Sequence, residues 1–134
     1  MQVIKSDVEQ IRQEKDMVRV RSTVRALTTQ LRFSLVDQTK VITAASEIAR
    51  NTLVYGKGGT LTVEVIKEGS RLGLRLVFDD QGPGIADLKL AMQDGFTTGS
   101  GLGLGLGGSR RLVNEFNIES NSGCGTRITL IKWK

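Results

Sequence analysis

From Gly101 to Gly108 the chain reads Gly-Leu-Gly-Leu-Gly-Leu-Gly-Gly, and no other stretch narrows its folding options as much. The leucines lead on to Leu112 and Val113, so the run opens a helix that carries Leu106 inward and continues toward Phe116. Each glycine inside a helix costs about 1 kcal/mol relative to alanine, and something must offset that cost. Backbone N–H groups that no side chain shields, aimed by the positive end of a helix, do so by binding phosphates. A merely flexible loop has no use for regularly spaced leucines, so phosphate binding is the preferred reading. The run also contains a formal Gly103-x-Gly105-x-x-Gly108 dinucleotide pattern. It follows a loop rather than a strand, which argues against that use, and no Walker A pattern is present.

Two other segments bear on chemistry. Asp80-Gln81-Gly82-Pro83-Gly84-Ile85 holds the sole proline of the chain. Alone, Asp-x-Gly-Pro-Gly is a turn; beside a phosphate-binding run, its close glycines let the backbone approach a planar ligand. In Glu47-Ile48-Ala49-Arg50-Asn51, Glu47 and Asn51 stand four apart and share one helical face. An ordinary solvated face is the plain reading of that pair, and Arg50 suits a surface salt bridge at least as well as a phosphate contact.

The rest of the chain supplies the frame. Met17, Val20, Val24, Leu27 and Leu31 recur at helical spacing behind Asp16, a good N-cap residue. The preceding segment, through Ile4, Val8 and Ile11, reads as extended. A second helix is predicted over 37–55, with Val41, Ala45, Ile48 and Thr52 on its core face and the glycines of 56–59 stopping it. Alternation predicts strands over 61–65 and 72–78, joined by a turn over 67–71 that contains Gly69. A short helix through Leu88 and Met92 and a mobile loop over 94–101 follow. Strands over 117–122 and 126–133, joined by a turn over 122–125, close the chain. This order predicts an α+β fold in two layers, with an antiparallel-rich sheet and helices on one face, built as one domain over 1–134.

The formal charge is +5 and the pI near 9.7, yet only 4% of residues are aromatic, which leaves little for base stacking and argues against nucleic acid. Arg12, Lys15, Arg19, Arg21, Arg25 and Arg32 are spread through the first third, as on a solvated face or a surface for an acidic protein partner. Cys124 is the single cysteine and there is no histidine, which excludes an intrachain disulfide, a multi-cysteine metal site and a histidine phosphoacceptor. A small buried thiol is the default reading of Cys124. No apolar run is long enough for a bilayer, so a soluble, cytoplasmic protein without a membrane partner is expected.

As a set, the three segments, with Asp94-Gly95-Phe96-Thr97-Thr98 and the ending Ile131-Lys132-Trp133, resemble the GHKL family of ATP-binding proteins, named for gyrase, Hsp90, histidine kinases and MutL. The likeness is greatest to the small bacterial anti-sigma serine/threonine kinases of RsbT type. It implies a Bergerat-type two-layer α/β sandwich with a mostly antiparallel, mixed sheet. It implies ATP and Mg2+ as cofactors, with Asn51 on the metal and Glu47 as the base that takes the proton from the attacking hydroxyl. Asp80 would accept from the exocyclic amine of adenine, with Gly82, Gly84 and Ile85 in the same loop and Gly84 on the purine. Thr126 would complete the adenine pocket, partly through water. Gly101, Leu102, Gly103, Leu104, Gly105 and Leu106 would surround the phosphates. The implied substrate is a STAS-domain antagonist protein. A PPM-type phosphatase, a sigma factor or a second copy of the chain are further implied partners. The other class of function is a nucleotide-binding module that controls a sigma factor or phosphatase without phosphotransfer. Gly107 stands where the family often has proline, Cys124 replaces a more usual acidic residue, and no Lys or Arg lies between Asp94 and Leu106. Magnesium, helix amides or a residue of the partner would then stabilise the transferring charge.

Overall fold

The computed structural model describes residues 1–85, 92, 106–120 and 123–134. The predicted helix through Leu88, the predicted loop over 94–101 and the predicted phosphate-binding residues Gly101, Leu102, Gly103, Leu104 and Gly105 lie outside the described residues. The elements are β1 (Gln2–Ile11), α1 (Lys15–Gln30), α2 (Leu35–Val54), β2 (Gly59–Glu68), β3 (Arg71–Asp80), α3 (Leu106–Arg111), β4 (Glu115–Ser120) and β5 (Thr126–Trp133). The strands form one sheet in the order β1-β2-β3-β5-β4, which puts β3 at its centre. All four pairings are antiparallel, so among the described residues the sheet has no parallel pair.

Alternation fixes the two faces of the sheet. Leu61, Val63, Leu76, Phe78, Ile128 and Leu130 point to one face and are buried there against Val20, Val24 and Leu27 of α1 and Val41, Ala44, Ala45 and Ile48 of α2. α2 lies on β1, β2 and β3 and also meets α1 and α3. The opposite face carries a small cluster of its own, Ile66, Ile131 and Trp133. There the Arg71 guanidinium stacks 3.9 Å from the indole centroid, and the indole N–H donates to Glu115 Oε2 at 2.9 Å.

Two helix starts differ from expectation. α1 begins at Lys15, and Asp16 sits buried inside its first turn rather than capping it. Its Oδ2 accepts the N–H groups of Arg12 (2.9 Å) and Gln13 (3.1 Å), tying down the link from β1. α2 begins at Leu35 because Ser34 caps it, its hydroxyl oxygen accepting the Asp37 N–H at 3.1 Å. Leu35 and Val36 are exposed, so the apolar stripe that marks the helix begins only at Val41. The β2–β3 hairpin is tighter than the predicted turn over 67–71: Lys67 pairs with Leu72 and Glu68 with Arg71, and Gly69 takes φ +62° in the two-residue turn.

Candidate active site

The central strand β3 ends at Asp80, which pairs in register with Thr126 at the start of β5. Asp80 Oδ1 accepts the Gly82 N–H at 2.9 Å and the Thr126 N–H at 3.2 Å. Burial pushes the Asp80 carboxyl above the ordinary range; the bonds from Gly82 and Thr126 oppose this, and the neighbouring Asp79 adds to it. A half-buried carboxylate fixed through one oxygen is a strong, directed acceptor.

Glycines make room for it. A Cβ at Gly56 would overlap the Asp80 carboxyl group, and one at Gly82 would come within 2.7 Å of the Gly56 Cα. Gly125, at φ +83°, lies against the Asp80 carbonyl oxygen so closely that no side chain fits. The predicted purine-contact residue Gly84 also has a positive φ, +76°.

An open cleft of about 190 Å³ runs alongside, lined among others by Asp80, Ser120, Cys124, Thr126 and Arg127. Arg127 is paired with Asp79 at 2.6 Å across the strands. Ser120 binds several groups here: its hydroxyl oxygen accepts the Ile85 N–H at 2.7 Å and lies 2.8 Å from Thr126 Oγ1. Cys124 is exposed rather than buried, held in a turn between Gly123 (φ +81°) and Gly125 (φ +83°).

Of the predicted site residues, Asp80, Gly82 and Thr126 are joined by hydrogen bonds, and Ile85 is tied to Thr126 through Ser120. Glu47 and Asn51 come from α2: Glu47 is exposed, while Asn51 is 8% exposed. Arg50 reaches Glu14 at 3.0 Å as a surface ion pair, the plainer of its two readings. Leu106 has its side chain in the core at 1% exposure, so only its backbone is left for a ligand. Gly56, Ser120 and Gly125 were missed from sequence. Ser120 carried a signal, since it shares strand parity with the inward-packed Phe116 and Ile118, and a polar residue at that parity needs a purpose.

The sheet backed by helices on one face, with a half-buried acid among glycines at the end of its central strand, is an arrangement that suits the ATPase-type domain that the comparisons identify. Residues 36–134 match the family described as histidine kinase-, DNA gyrase B-, and HSP90-like ATPase, and the chain belongs to that family. It is similar to the serine/threonine-protein kinase RsbT of Bacillus subtilis strain 168, at 43% identity over 120 residues that span 90% of each chain. It also resembles the anti-sigma F factor of Anoxybacillus flavithermus, at 34% identity over 84% of this chain and 80% of that one. The likeness to RsbT supports protein serine/threonine kinase activity. In fold, the chain resembles a solved structure of the RsbU and RsbW domains of a Mycobacterium tuberculosis protein, with TM-score 0.64, 20% identity and 97% of this chain covered. The chain spans 33% of that larger structure.

Proposed function

We propose that the protein transfers the γ-phosphoryl group of Mg-ATP to a serine or threonine hydroxyl of a STAS-domain antagonist, and that release from this substrate frees it to engage a PPM-type phosphatase or a sigma factor in the cytoplasm. The observation that carries this reading is the Asp80 carboxyl group, half-buried, bonded through Oδ1 to the Gly82 and Thr126 amides and ringed by glycines. A bound adenine would give its exocyclic amine to that carboxylate. Gly82, Gly84 and Ile85 form the adjoining turn, and Thr126 offers a hydroxyl on the other side.

The phosphates would meet the backbone of 101–106. Magnesium would neutralise charge on the phosphates; it would be held by the Asn51 side-chain oxygen together with phosphate oxygens and water. That donor set fits the ion, which needs only one or two protein ligands beside phosphate oxygens and water. Glu47, one turn before Asn51 and exposed, is open to a hydroxyl brought by a protein substrate. It takes the proton while the substrate oxygen bonds to the γ-phosphorus and the bond to the ADP leaving oxygen breaks.

The test is phosphotransfer from labelled ATP, with magnesium, to a STAS protein encoded beside the chain. Wild type should label the partner, and Glu47→Gln should bind ATP and partner without labelling it. No labelling by wild type of any such partner would leave the nucleotide as a regulatory ligand of a binding module.

A further inference from the structure

Glu47 and Arg50 stand three apart on α2, so their side chains are neighbours on the surface of one helix. The guanidinium turns to the link before α1, where Arg50 Nη2 donates to Glu14 Oε1 at 3.0 Å. Both side chains of this pair are open to water, at 42% exposure for Arg50 and 70% for Glu14. Such a pair is weak, because solvent and salt screen it and two long side chains must be held still. Another carboxylate can therefore take the place of Glu14 at little cost. A planar guanidinium carries five N–H donors and binds a carboxylate through two of them, so the site suits an incoming acid well.

The rest of the ridge has the same preference. Lys40 lies two turns before Glu47, about 20° from the same line along the helix, with the exposed Thr43 between them. A positive side chain thus stands on either side of the proposed proton acceptor, Arg50 about 5 Å along the axis in one direction and Lys40 about 10 Å in the other. Charge along α2 complements a protein segment that carries acidic residues close to its hydroxyl.

We propose that Arg50 is a substrate-positioning residue: it exchanges Glu14, which stands in for a substrate carboxylate in the free protein, for an acidic residue beside the phosphoacceptor hydroxyl, with Lys40 supporting the same segment from the other side. This rests on the reading of Glu47 as the proton acceptor of the kinase. While Glu14 holds it, the guanidinium is kept from pairing with Glu47. On exchange it draws the substrate hydroxyl to that base.

The two members of the pair then act in opposite directions. Glu14 competes with the substrate, so Glu14→Gln should lower KM for the protein substrate by about threefold, whereas Arg50→Gln should raise it by about threefold, the range of one screened charge pair. The experiment is steady-state phosphorylation of the STAS protein encoded beside the chain, at saturating Mg-ATP, by wild type, Glu14→Gln, Arg50→Gln, Arg50→Lys, Lys40→Gln and the Glu14→Gln/Arg50→Gln double variant, each with a thermal melt and an ATP titration. Lys40→Gln should raise KM, and Arg50→Lys, which keeps the charge, should recover part of the Arg50→Gln loss. The double variant should match Arg50→Gln, since Glu14 acts through Arg50. Neutralising the substrate's acidic residues within three positions of its mapped phosphorylation site should raise the wild-type KM and erase the difference between wild type and Arg50→Gln. A KM that rises in both Glu14→Gln and Arg50→Gln, or moves in neither, would overturn the inference and leave the pair as a surface tie between α1 and α2; the Glu14→Gln result decides this even where Arg50→Gln melts early. Weakened ATP binding in Arg50→Gln would overturn it too, because Arg50 would then serve the phosphates. Absence of labelling by wild type would instead overturn the reading of this protein as the kinase of that substrate, and the inference with it.

Discussion

Asp80→Asn separates the fold from the ligand at a single atom. In the native chain both backbone donors, Gly82 N–H and Thr126 N–H, fall on Oδ1. An asparagine must keep its carbonyl oxygen in that position to satisfy them, so the amide NH2 takes the place of Oδ2. The turn is retained while the remaining acceptor becomes a donor. The change also removes a charge that burial disfavours, since the Asp80 carboxyl is raised above its ordinary 3.8. A raised folded-state pKa means that ionisation weakens the fold as pH rises past the unfolded value. At neutral pH the variant should therefore melt at or slightly above the wild-type temperature. Binding moves the other way. A hydrogen bond to a charged group contributes about 1.5–3 kcal/mol, which corresponds to roughly 10- to 150-fold in Kd, and a donor now faces the adenine amine. Titration calorimetry with Mg-ATP, paired with a thermal melt, reads both effects. ATP affinity within about twofold of wild type would refute the argument. So would loss of binding together with collapse of the melt, since the carboxyl group would then be structural.

Lowering the pH of wild type should weaken ATP binding as Asp80 takes up its proton, beginning above the ordinary carboxylate value of 3.8 because its pKa is raised; an affinity series at falling pH checks this, with Asp80→Asn showing no such step. Gly56→Ala places a methyl group into the Asp80 carboxyl group, and should cost about 1–3 kcal/mol in urea denaturation as well as lowering ATP affinity. Asp16 has its carboxyl held below the ordinary value, first by the Arg12 N–H. The stability it gives is present above pH 3.8 and is lost as the pH falls, so Asp16→Ala should melt lower at pH 7 and lose less than wild type on acidification. Arg50→Ala breaks only an exposed pair with Glu14, and should change stability by no more than about 1 kcal/mol and leave ATP affinity intact.

The strands and the core stripes were legible because each is a local periodic pattern. Leu61, Val63, Leu76 and Phe78 alternate in sequence and meet on one face of the sheet. The start of α2 was not, since its cap at Ser34 is followed by exposed Leu35 and Val36, which hide the period. Asp80 could be picked out only by the company of a distant glycine run. The residues that hold it were hidden for the opposite reason: their local reading was already sufficient. Gly56 explained itself as a helix stop and Gly125 as a turn, yet both are in contact with Asp80, far along the chain. Cys124 was taken as buried on residue type, whereas its flanking positive-φ glycines put it in a tight exposed turn.

The two acids of the proposed site sit in opposite surroundings, and this follows from the elements that bear them. Asp80 ends the strand at the middle of the sheet, paired to β2 on one side and β5 on the other, so its position is fixed by two ladders. Regions with such dense pairing open last in local unfolding. Glu47 projects from the exposed side of α2, while its neighbours Ala44, Ala45 and Ile48 anchor that helix in the core. The proposed base acceptor is thus set at the doubly paired centre of the sheet, and the proposed proton acceptor where a protein substrate would reach it. Substitutions on the outer surface of α2 should therefore alter which substrate is phosphorylated without altering nucleotide affinity. Substitutions around Gly56, Ser120 and Gly125 should do the reverse, and parallel measurement of nucleotide Kd and substrate KM on both sets would separate the two.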